Sequence, residues 1–254
     1  MNEFAIVIPS KYAMNLVGCM QAICDFEVNV VESEKIIVVD DGARAELERD
    51  GFGVPLWFER LQWISGAEPF SFPRNVNLGV AAAGTRDVLL LNDDCMLRTP
   101  AGFYRMQEAA YSDPDIMMCA AIVSFSGNRT QQATPAQATA AMNHANDEII
   151  PQEMVCFICV YFKRECFDRF GLFDEAFDGY GWDDDIYCAR VRTGGGKIVV
   201  YRGTYLDHTH LQSSYRVRER DTLGPRSRQN RVKYDALMKQ HPEYLEWLSR
   251  RKNH

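Results

Sequence analysis

Apolar residues early in the chain fall into two kinds of pattern, short continuous runs and helical spacings, and the two alternate. Phe4–Pro9 (FAIVIP) is continuous, β-branched and stopped by proline, which predicts a buried strand. Asn15–Phe26 then sets Leu16, Met20, Ile23 and Cys24 on one side of a helix. Lys35–Asp41 (KIIVVDD) predicts a second strand, Val54–Phe58 a weaker third, and Asp87–Leu91 (DVLLL) a fourth that runs into Asn-Asp-Asp. Between the last two, Phe72–Gly84 turns helical after Pro73 and stops at Gly84. Thr99 is placed to cap, and Pro100 to open, a helix over Thr99–Tyr111, and Ile116–Phe125 is another apolar run. Continuous apolar strands alternating with helices predict an α/β fold with a mostly parallel sheet covered on both faces.

The second half has a different texture. Residues 126–152 are rich in Ala, Thr and Gln and read as a mobile loop or a short exposed helix. Sheet character returns at Met154–Phe162, and an amphipathic helix runs from Asp183 through Arg190. Lys197–Asp207 predicts a last pair of strands before a basic tail, in which Trp247 anchors a short helix. Trp57 and Trp63 read as packing residues, and no internal repeat is evident.

Composition narrows the class. With 254 residues, 46% hydrophobic and 25% charged, the chain reads as globular, which excludes disordered and fibrous readings. No apolar run approaches the roughly 20 residues that span a bilayer. The start, MNEFAIVIPS, lacks the basic and apolar segments of a signal peptide. The eight cysteines sit in helical or strand-like apolar settings, which fits buried free thiols in a reducing cytoplasm. Cys156 and Cys159 have zinc-knuckle spacing but no second Cys/His pair at a suitable distance, so a metal role is not expected there. The net charge of -7 argues against wholesale nucleic-acid binding, yet it is uneven. Residues 211–254 carry 11 Lys and Arg against 5 Asp and Glu, while the first 210 carry 17 against 30.

Those acids are where chemistry is expected. In an open parallel sheet, ligands bind beyond the carboxyl ends of the strands. Two strands end in paired carboxylates, Asp40-Asp41 and Asp93-Asp94. A single pair reads equally well as turn formation or helix capping. Two at equivalent strand ends favour a hard divalent cation with positions left for phosphate oxygens. A third cluster, Asp183-Asp184-Asp185, opens a helix after Gly179-Tyr180-Gly181-Trp182 and exceeds what capping needs. Trp182 is placed to stack on a sugar ring. In Asp207-His208-Thr209-His210 the two histidines lie at alternating positions beside an acid, a plausible ligand pattern.

Taken in order, IVIPS, VVDDG, RNVNLGVAAAG, LLLNDDC and the stretch from VCFICVYF through FDEAFDGYGWDDDIYCARVRTGG resemble the family-2 glycosyltransferases of GT-A fold. The resemblance covers roughly residues 3–212 and is nearest to small soluble bacterial and phage-encoded members. It implies a Rossmann-like sheet, with 1–125 as the nucleotide-binding half, 126–212 as the acceptor side and 213–254 as a basic C-terminal extension. Residue by residue, it implies that Pro9 and Ser10 line the base pocket and that Asp40 or Asp41 accepts from the uracil ring N–H. Arg74 and Asn77 would lie near the ribose and phosphates. Asp93 would face the ribose or metal, Asp94 would ligate Mn²⁺ or Mg²⁺, and His208, with His210 as competitor, would complete the site. Asp184 corresponds to the catalytic base. Asp183 stands where a Glu is commoner, and the extra acid at Asp185 leaves that assignment open by one position.

The implied reaction is inverting transfer from a nucleotide-sugar, a UDP-sugar by resemblance, to an acceptor hydroxyl. A cation would stabilise the leaving diphosphate, and a carboxylate would take the acceptor proton. The acceptor would be a glycan or a hydroxymethylated DNA base. A nucleotidyltransferase is the competing enzyme, but its Gly-rich loop is missing from IPSKYAMN. A non-catalytic carbohydrate-binding protein would not need three carboxylate clusters. The segment Arg216–Lys233 reads as a solvated surface helix, as a lid over the diphosphate, or as an attraction for a polyanionic acceptor.

Overall fold

Residues along β1 (Phe4–Ser10) are buried without exception. Successive side chains of a strand point to opposite faces. Phe4, Ile6 and Ile8 therefore join one apolar cluster, and Ala5 and Val7 another. This is the physical meaning of a continuous apolar run: a sheet with a core on each side. The computed structural model describes residues 2–27, 30–49, 57–68, 70–177, 181–208 and 220–251.

In chain order the following elements are α1 (Ala13–Phe26), α2 (Val30–Ser33), β2 (Lys35–Asp40), α3 (Ala43–Arg49) and β3 (Gln62–Ser65). Then come α4 (Phe72–Ala83), β4 (Asp87–Leu91), β5 (Met96–Leu97), α5 (Gly102–Tyr111) and β6 (Ile116–Val123). The rest comprises α6 (Pro135–Met142), β7 (Ile149–Gln152), β8 (Cys159–Phe162), α7 (Arg164–Phe170), α8 (Asp183–Thr193), β9 (Lys197–Asp207), α9 (Arg220–Gln240) and α10 (Pro242–Arg251). One sheet runs β3-β2-β1-β4-β8-β6-β9-β5, with β7 also on β9. Pairs β1–β2, β2–β3, β1–β4 and β6–β9 are parallel. β8 is antiparallel to both β4 and β6. Among the described residues no helix is long and apolar enough to cross a membrane.

The helices cover the two faces with different side chains. Leu16, Met20 and Ile23 of α1 and Phe103 and Met106 of α5 fill one cluster. Val76 and Val80 of α4, Phe167 of α7, Tyr187 of α8 and Trp247 of α10 fill the other. Phe173 stacks on Tyr187 with ring centroids 4.4 Å apart. Trp247 is fully buried and its Nε1 donates to the Glu153 carbonyl at 3.0 Å, so the expected anchoring role holds. Gly79 lets α4 lie against β1, because a Cβ there would come within 2.2 Å of Val7.

Several expectations need correction. The third strand is Gln62–Ser65. Of Val54–Phe58, residues 54–56 lie outside the described residues, and Trp57 and Phe58 enter a 3₁₀ turn. Their buried rings, with Leu61, serve packing rather than a ladder. Thr99 does not cap α5. Its Oγ1 accepts from the Tyr205 N–H, and Ala101, in the left-handed region at φ 50°, precedes the helix at Gly102. Residues 126–152 hold α6, opened by a Thr134–Gln137 capping box, and β7. Of Met154–Phe162 only Cys159–Phe162 joins the ladder. The expected terminal strand pair is a single strand, β9. Its register on β6 jumps from Ala121↔Tyr201 to Ile122↔Tyr205, so residues 202–204 bulge out. Gly203 permits this, since a Cβ there would meet the Tyr201 ring at 2.2 Å.

Candidate active site

Both carboxylate pairs at strand ends divide their labour between the two acids. After β2, Asp40 Oδ1 accepts from the Gly42 and Arg44 N–H groups at 3.0 and 3.1 Å, which caps α3. Asp41 turns the other way. Its Oδ2 accepts from Asn75 Nδ2 at 2.6 Å, and Asn75 Oδ1 in turn accepts from the Ala67 N–H at 2.7 Å. Gly66 lies so close that a Cβ would fall 2.0 Å from the Asp41 carboxylate. Asp41 is thus the member of the pair held in the crevice between β2 and α4.

After β4, Asp93 is buried. It accepts from Ser10 Oγ at 2.8 Å and, more weakly, from Asn15 Nδ2 at 3.5 Å. Burial first, and then the Asp94 charge, push its carboxyl up to about 7; the bonds from Ser10, Asn15 and the Lys11 N–H pull the other way. The Ser10 hydroxyl is therefore committed to Asp93, and Pro9 is a buried β1 residue opposite Val39.

Asp94 meets His208 through strand register. Met96 pairs with Asp207 and Leu97 with Leu206, so the next antiparallel step sets residue 95 opposite residue 208. His208 Nε2 lies 3.4 Å from Asp94 Oδ1. Its Nδ1 lies 2.7 Å from the Phe125 carbonyl, and its N–H donates to Ser124 Oγ at 2.7 Å. A carbonyl only accepts, so Nδ1 carries the proton. In the neutral ring the Nε2 lone pair then faces a carboxylate oxygen. Two acceptors are reconciled either by a second proton on the ring or by a cation between them. This is the arrangement of metal-binding histidines, whose other ring nitrogen donates to a carbonyl. Ligand atoms of Asp94, Cys95 and His208 lie within 4.8 Å of one another. A carboxylate and an imidazole suit a divalent cation, and the imidazole favours Mn²⁺ over Mg²⁺.

The third cluster lies at the start of α8. Trp182 occupies the N-cap position in the left-handed region at φ 74°, and Asp183, Asp184 and Asp185 fill the first turn. Burial raises Asp183 to about 6, against the pull of backbone N–H groups. Asp184 is raised well above the usual range, by burial and then by Asp185 and Asp183. It nevertheless keeps partial access to solvent, as a proton acceptor must. Cys156, which feels the charges of Asp184 and Asp185, hydrogen-bonds with Ser126. Ser126 follows Phe125, the residue bonded to His208. The segment after β6 therefore bonds His208 of the Asp94–His208 pair and, through Ser126, Cys156, which lies within the field of the α8 acids.

Other expected residues fall elsewhere. Asn77 faces away from the crevice: its amide donates to Phe173 O and Glu175 Oε1 and accepts from the Phe173 N–H. This ties down the loop before α8, and the ribose-and-phosphate expectation is replaced by a structural one. Arg74 is half-exposed in the first turn of α4, without an ion pair among the described residues. The Trp182 ring packs on Tyr234 at 4.9 Å and beneath the Arg231 guanidinium at 4.5 Å. His210 lies outside the described residues. Asn15, Asn75 and Ser124 were missed. Asn75 had a signal in its i,i+4 relation to Gly79, which marks the sheet-facing side of α4.

No family model matches the sequence, and no curated protein matches it either. Solved structures match by shape. GalNAc-T7, solved with UDP, GalNAc and Mn²⁺, superposes with a TM-score of 0.64 at 12% identity over 82% of this chain. The mannosyltransferase PcManGT of Pyrobaculum calidifontis, solved with GDP-Man and Mn²⁺, gives 0.61 at 15% identity over 98% of this chain and 68% of its own. S. aureus TarS 1-349 with UDP-GlcNAc gives 0.53 at 12% identity over 83%. The chain spans 44% of the GalNAc-T7 chain and 60% of the TarS chain. These likenesses establish the fold as that of the GT-A glycosyltransferases.

Proposed function

We propose that this protein is a metal-dependent, inverting glycosyltransferase that moves a sugar from a nucleotide-sugar, a UDP-sugar first, to a hydroxyl of an acceptor. The observation that carries the reading is the His208 imidazole, oriented by the Phe125 carbonyl and aimed at Asp94 at the carboxyl end of β4. The Mn²⁺ in the GalNAc-T7 and PcManGT structures supports it. Asp94 and His208, with Cys95 beside them, would hold a divalent cation, which would supply Lewis-acid stabilisation of a leaving diphosphate.

The remaining work falls to side chains. Asp41, fixed by Asn75, accepts from the base ring N–H, while Pro9 and Ser10, buried at the end of β1, back the base pocket from beneath. Asp93 orients the Asp94 turn through Ser10 and faces the ribose side. Arg74 adds charge-assisted bonds to phosphate. Asp184 takes the acceptor proton, because a carboxylate with a raised proton affinity and partial access to solvent suits general-base work near neutral pH. Single displacement from that side inverts the anomeric centre.

The test replaces the base. Asp184→Asn is expected to keep nucleotide-sugar binding in the presence of Mn²⁺ and lose transfer by about a hundredfold or more. Near-normal turnover would remove Asp184 from this role. Release of pyrophosphate from UTP, in place of UDP from UDP-sugars, would point instead to a nucleotidyltransferase.

A further inference from the structure

Asp94 and Cys95 are neighbours in sequence, and neighbouring side chains ordinarily diverge, in a strand and on a helix alike. Here they sit in a turn that the Cys95 N–H closes on the Asn92 carbonyl at 3.2 Å, and both converge on His208. A carboxylate oxygen of Asp94, the Cys95 Sγ and a ring nitrogen of His208 lie within 4.8 Å of one another. Cys95 is fully buried and Asp94 is 3% exposed, while His208 keeps a partly open side. A cation among the three is therefore enclosed by the first two and reached from the imidazole side.

Distance discriminates between coordination geometries. Asp94 Oδ1 and His208 Nε2 are 3.4 Å apart. A tetrahedral ion bonded to each at about 2.0–2.1 Å sets them about 3.3 Å apart. An octahedral Mg²⁺ at a similar bond length sets adjacent ligands only about 2.9 Å apart. Around the tetrahedral ion a thiolate, with its longer bond of about 2.3 Å, stands about 3.6 Å from either partner. Closing the site on Cys95 then takes at most about 1.2 Å of movement. Charge points the same way. A carboxylate, a thiolate and a neutral imidazole carry two negative charges, which a divalent cation cancels, and a buried site favours such a balanced set.

We propose that Cys95 is a third ligand, as the thiolate, and that it makes this site selective for Zn²⁺ over Mn²⁺ and Mg²⁺. The inference rests on the cation site of the transferase reading and adds which ion that site prefers. Thiolate and imidazole suit Zn²⁺, whereas carboxylate and water suit Mg²⁺ and Mn²⁺. Three protein ligands with a fourth position open is the arrangement of catalytic zinc. On binding, the Cys95 S–H bond breaks, the sulfur electron pair goes to the metal, and the proton leaves to solvent. Zn²⁺ binds nitrogen-and-oxygen sites more tightly than Mn²⁺ in general, so a bare preference decides nothing. The share of that preference supplied by Cys95 is what separates a thiolate site from an ordinary one.

The test titrates the full chain, stripped with chelator and kept reduced, with Co²⁺ as a spectroscopic stand-in for Zn²⁺. The parent, Cys95→Ser and His208→Ala are compared, with Cys24→Ser alongside to remove the exposed thiol. Zn²⁺ and Mn²⁺ affinities are measured by calorimetry, and UDP binding separately with each ion. The parent and Cys24→Ser are expected to show a near-ultraviolet sulfur-to-cobalt charge-transfer band that one equivalent of Zn²⁺ abolishes. Cys95→Ser should lack the band and lose Zn²⁺ affinity at least about tenfold, with Mn²⁺ affinity changed less than about threefold. His208→Ala, altered on the partly open side, should keep the fold even where the core variant does not, and should weaken Co²⁺ binding at least about tenfold. A parent that binds Co²⁺ without the band would overturn the ligand assignment, as would a band that survives Cys95→Ser. Unchanged Co²⁺ affinity in His208→Ala would overturn it too, and so would equal losses of Zn²⁺ and Mn²⁺ affinity in Cys95→Ser or a parent that binds neither Co²⁺ nor Zn²⁺. Thiolate ligation with no UDP binding by any metal-loaded form would uphold the inference and overturn the transferase reading. Mn²⁺–UDP binding without the cobalt band would do the reverse.

Discussion

Asp93 offers a quantitative test of the electrostatics around the cation site. Its carboxyl is raised from the ordinary 3.8 to about 7, chiefly by burial and then by Asp94. A proton is therefore bound more tightly in the folded chain than in the unfolded one. The unfolded chain binds fewer protons throughout the window between those two values, so stability falls as pH rises through it. For a shift from 3.8 to about 7, the loss between pH 5 and pH 8 amounts to about 2–3 kcal/mol. Asp93→Asn keeps the shape and removes the ionisation. The amide oxygen still accepts from Asn15, and the amide nitrogen donates to Ser10 Oγ, which can rotate to accept. Urea unfolding in EDTA at pH 5, 6.5 and 8 is the assay. The advantage of Asp93→Asn over the parent should grow by about 2–3 kcal/mol across that range, and saturating Mn²⁺ should narrow the gap at pH 8. Curves that stay parallel within about 0.5 kcal/mol would show that the Asp93 charge is not desolvated as described.

Three further outcomes are expected. His208→Ala should weaken Mn²⁺ binding at least about tenfold in titration calorimetry, and an unchanged affinity would separate His208 from the cation. Asn77→Ala should lower stability to urea by about 1–3 kcal/mol by stripping partners from the Phe173 backbone, with nucleotide affinity unaltered. In native thiol labelling, Cys24, the exposed cysteine, should react first, Cys156 more slowly, and the six buried thiols only on unfolding; rapid labelling of Cys95 would contradict its burial beside Asp94.

Legibility differed by kind of interaction. Runs such as FAIVIP and DVLLL announced their strands because a two-faced core requires unbroken apolar character. Trp57 and Phe58 misled for a related reason: a core accepts large rings from a 3₁₀ turn as readily as from a strand. The two acid pairs were legible as pairs, but which member does what depends on the turn geometry that follows. The Asp40 oxygen reaches two N–H groups of α3, and that leaves Asp41 for the crevice. His208 stood out as one of two histidines at alternating positions beside an acid, yet its orientation depends on Phe125, some eighty residues away, and no local spacing reports it. Asn75 and Asn77 stand two apart on one helix, and the resemblance pointed to Asn77 while the fold puts Asn75 on Asp41 and Asn77 on the loop at Phe173.

The antiparallel strand β8 sits between β4 and β6 and is hydrogen-bonded to each. A segment from after residue 125 is thus sewn into the middle of those from before it. Many two-site enzymes close by swinging one lobe on another about a flexible crossing. Here, among the described residues, the turn carrying Asp94 and the helix carrying Asp184 stand over strands that belong to one continuous ladder. Any opening for substrate entry or product exit therefore falls to the loops and helices above the sheet. A cut at residue 125 would leave β8 without either neighbour in the second fragment, and the two pieces would have to fold together.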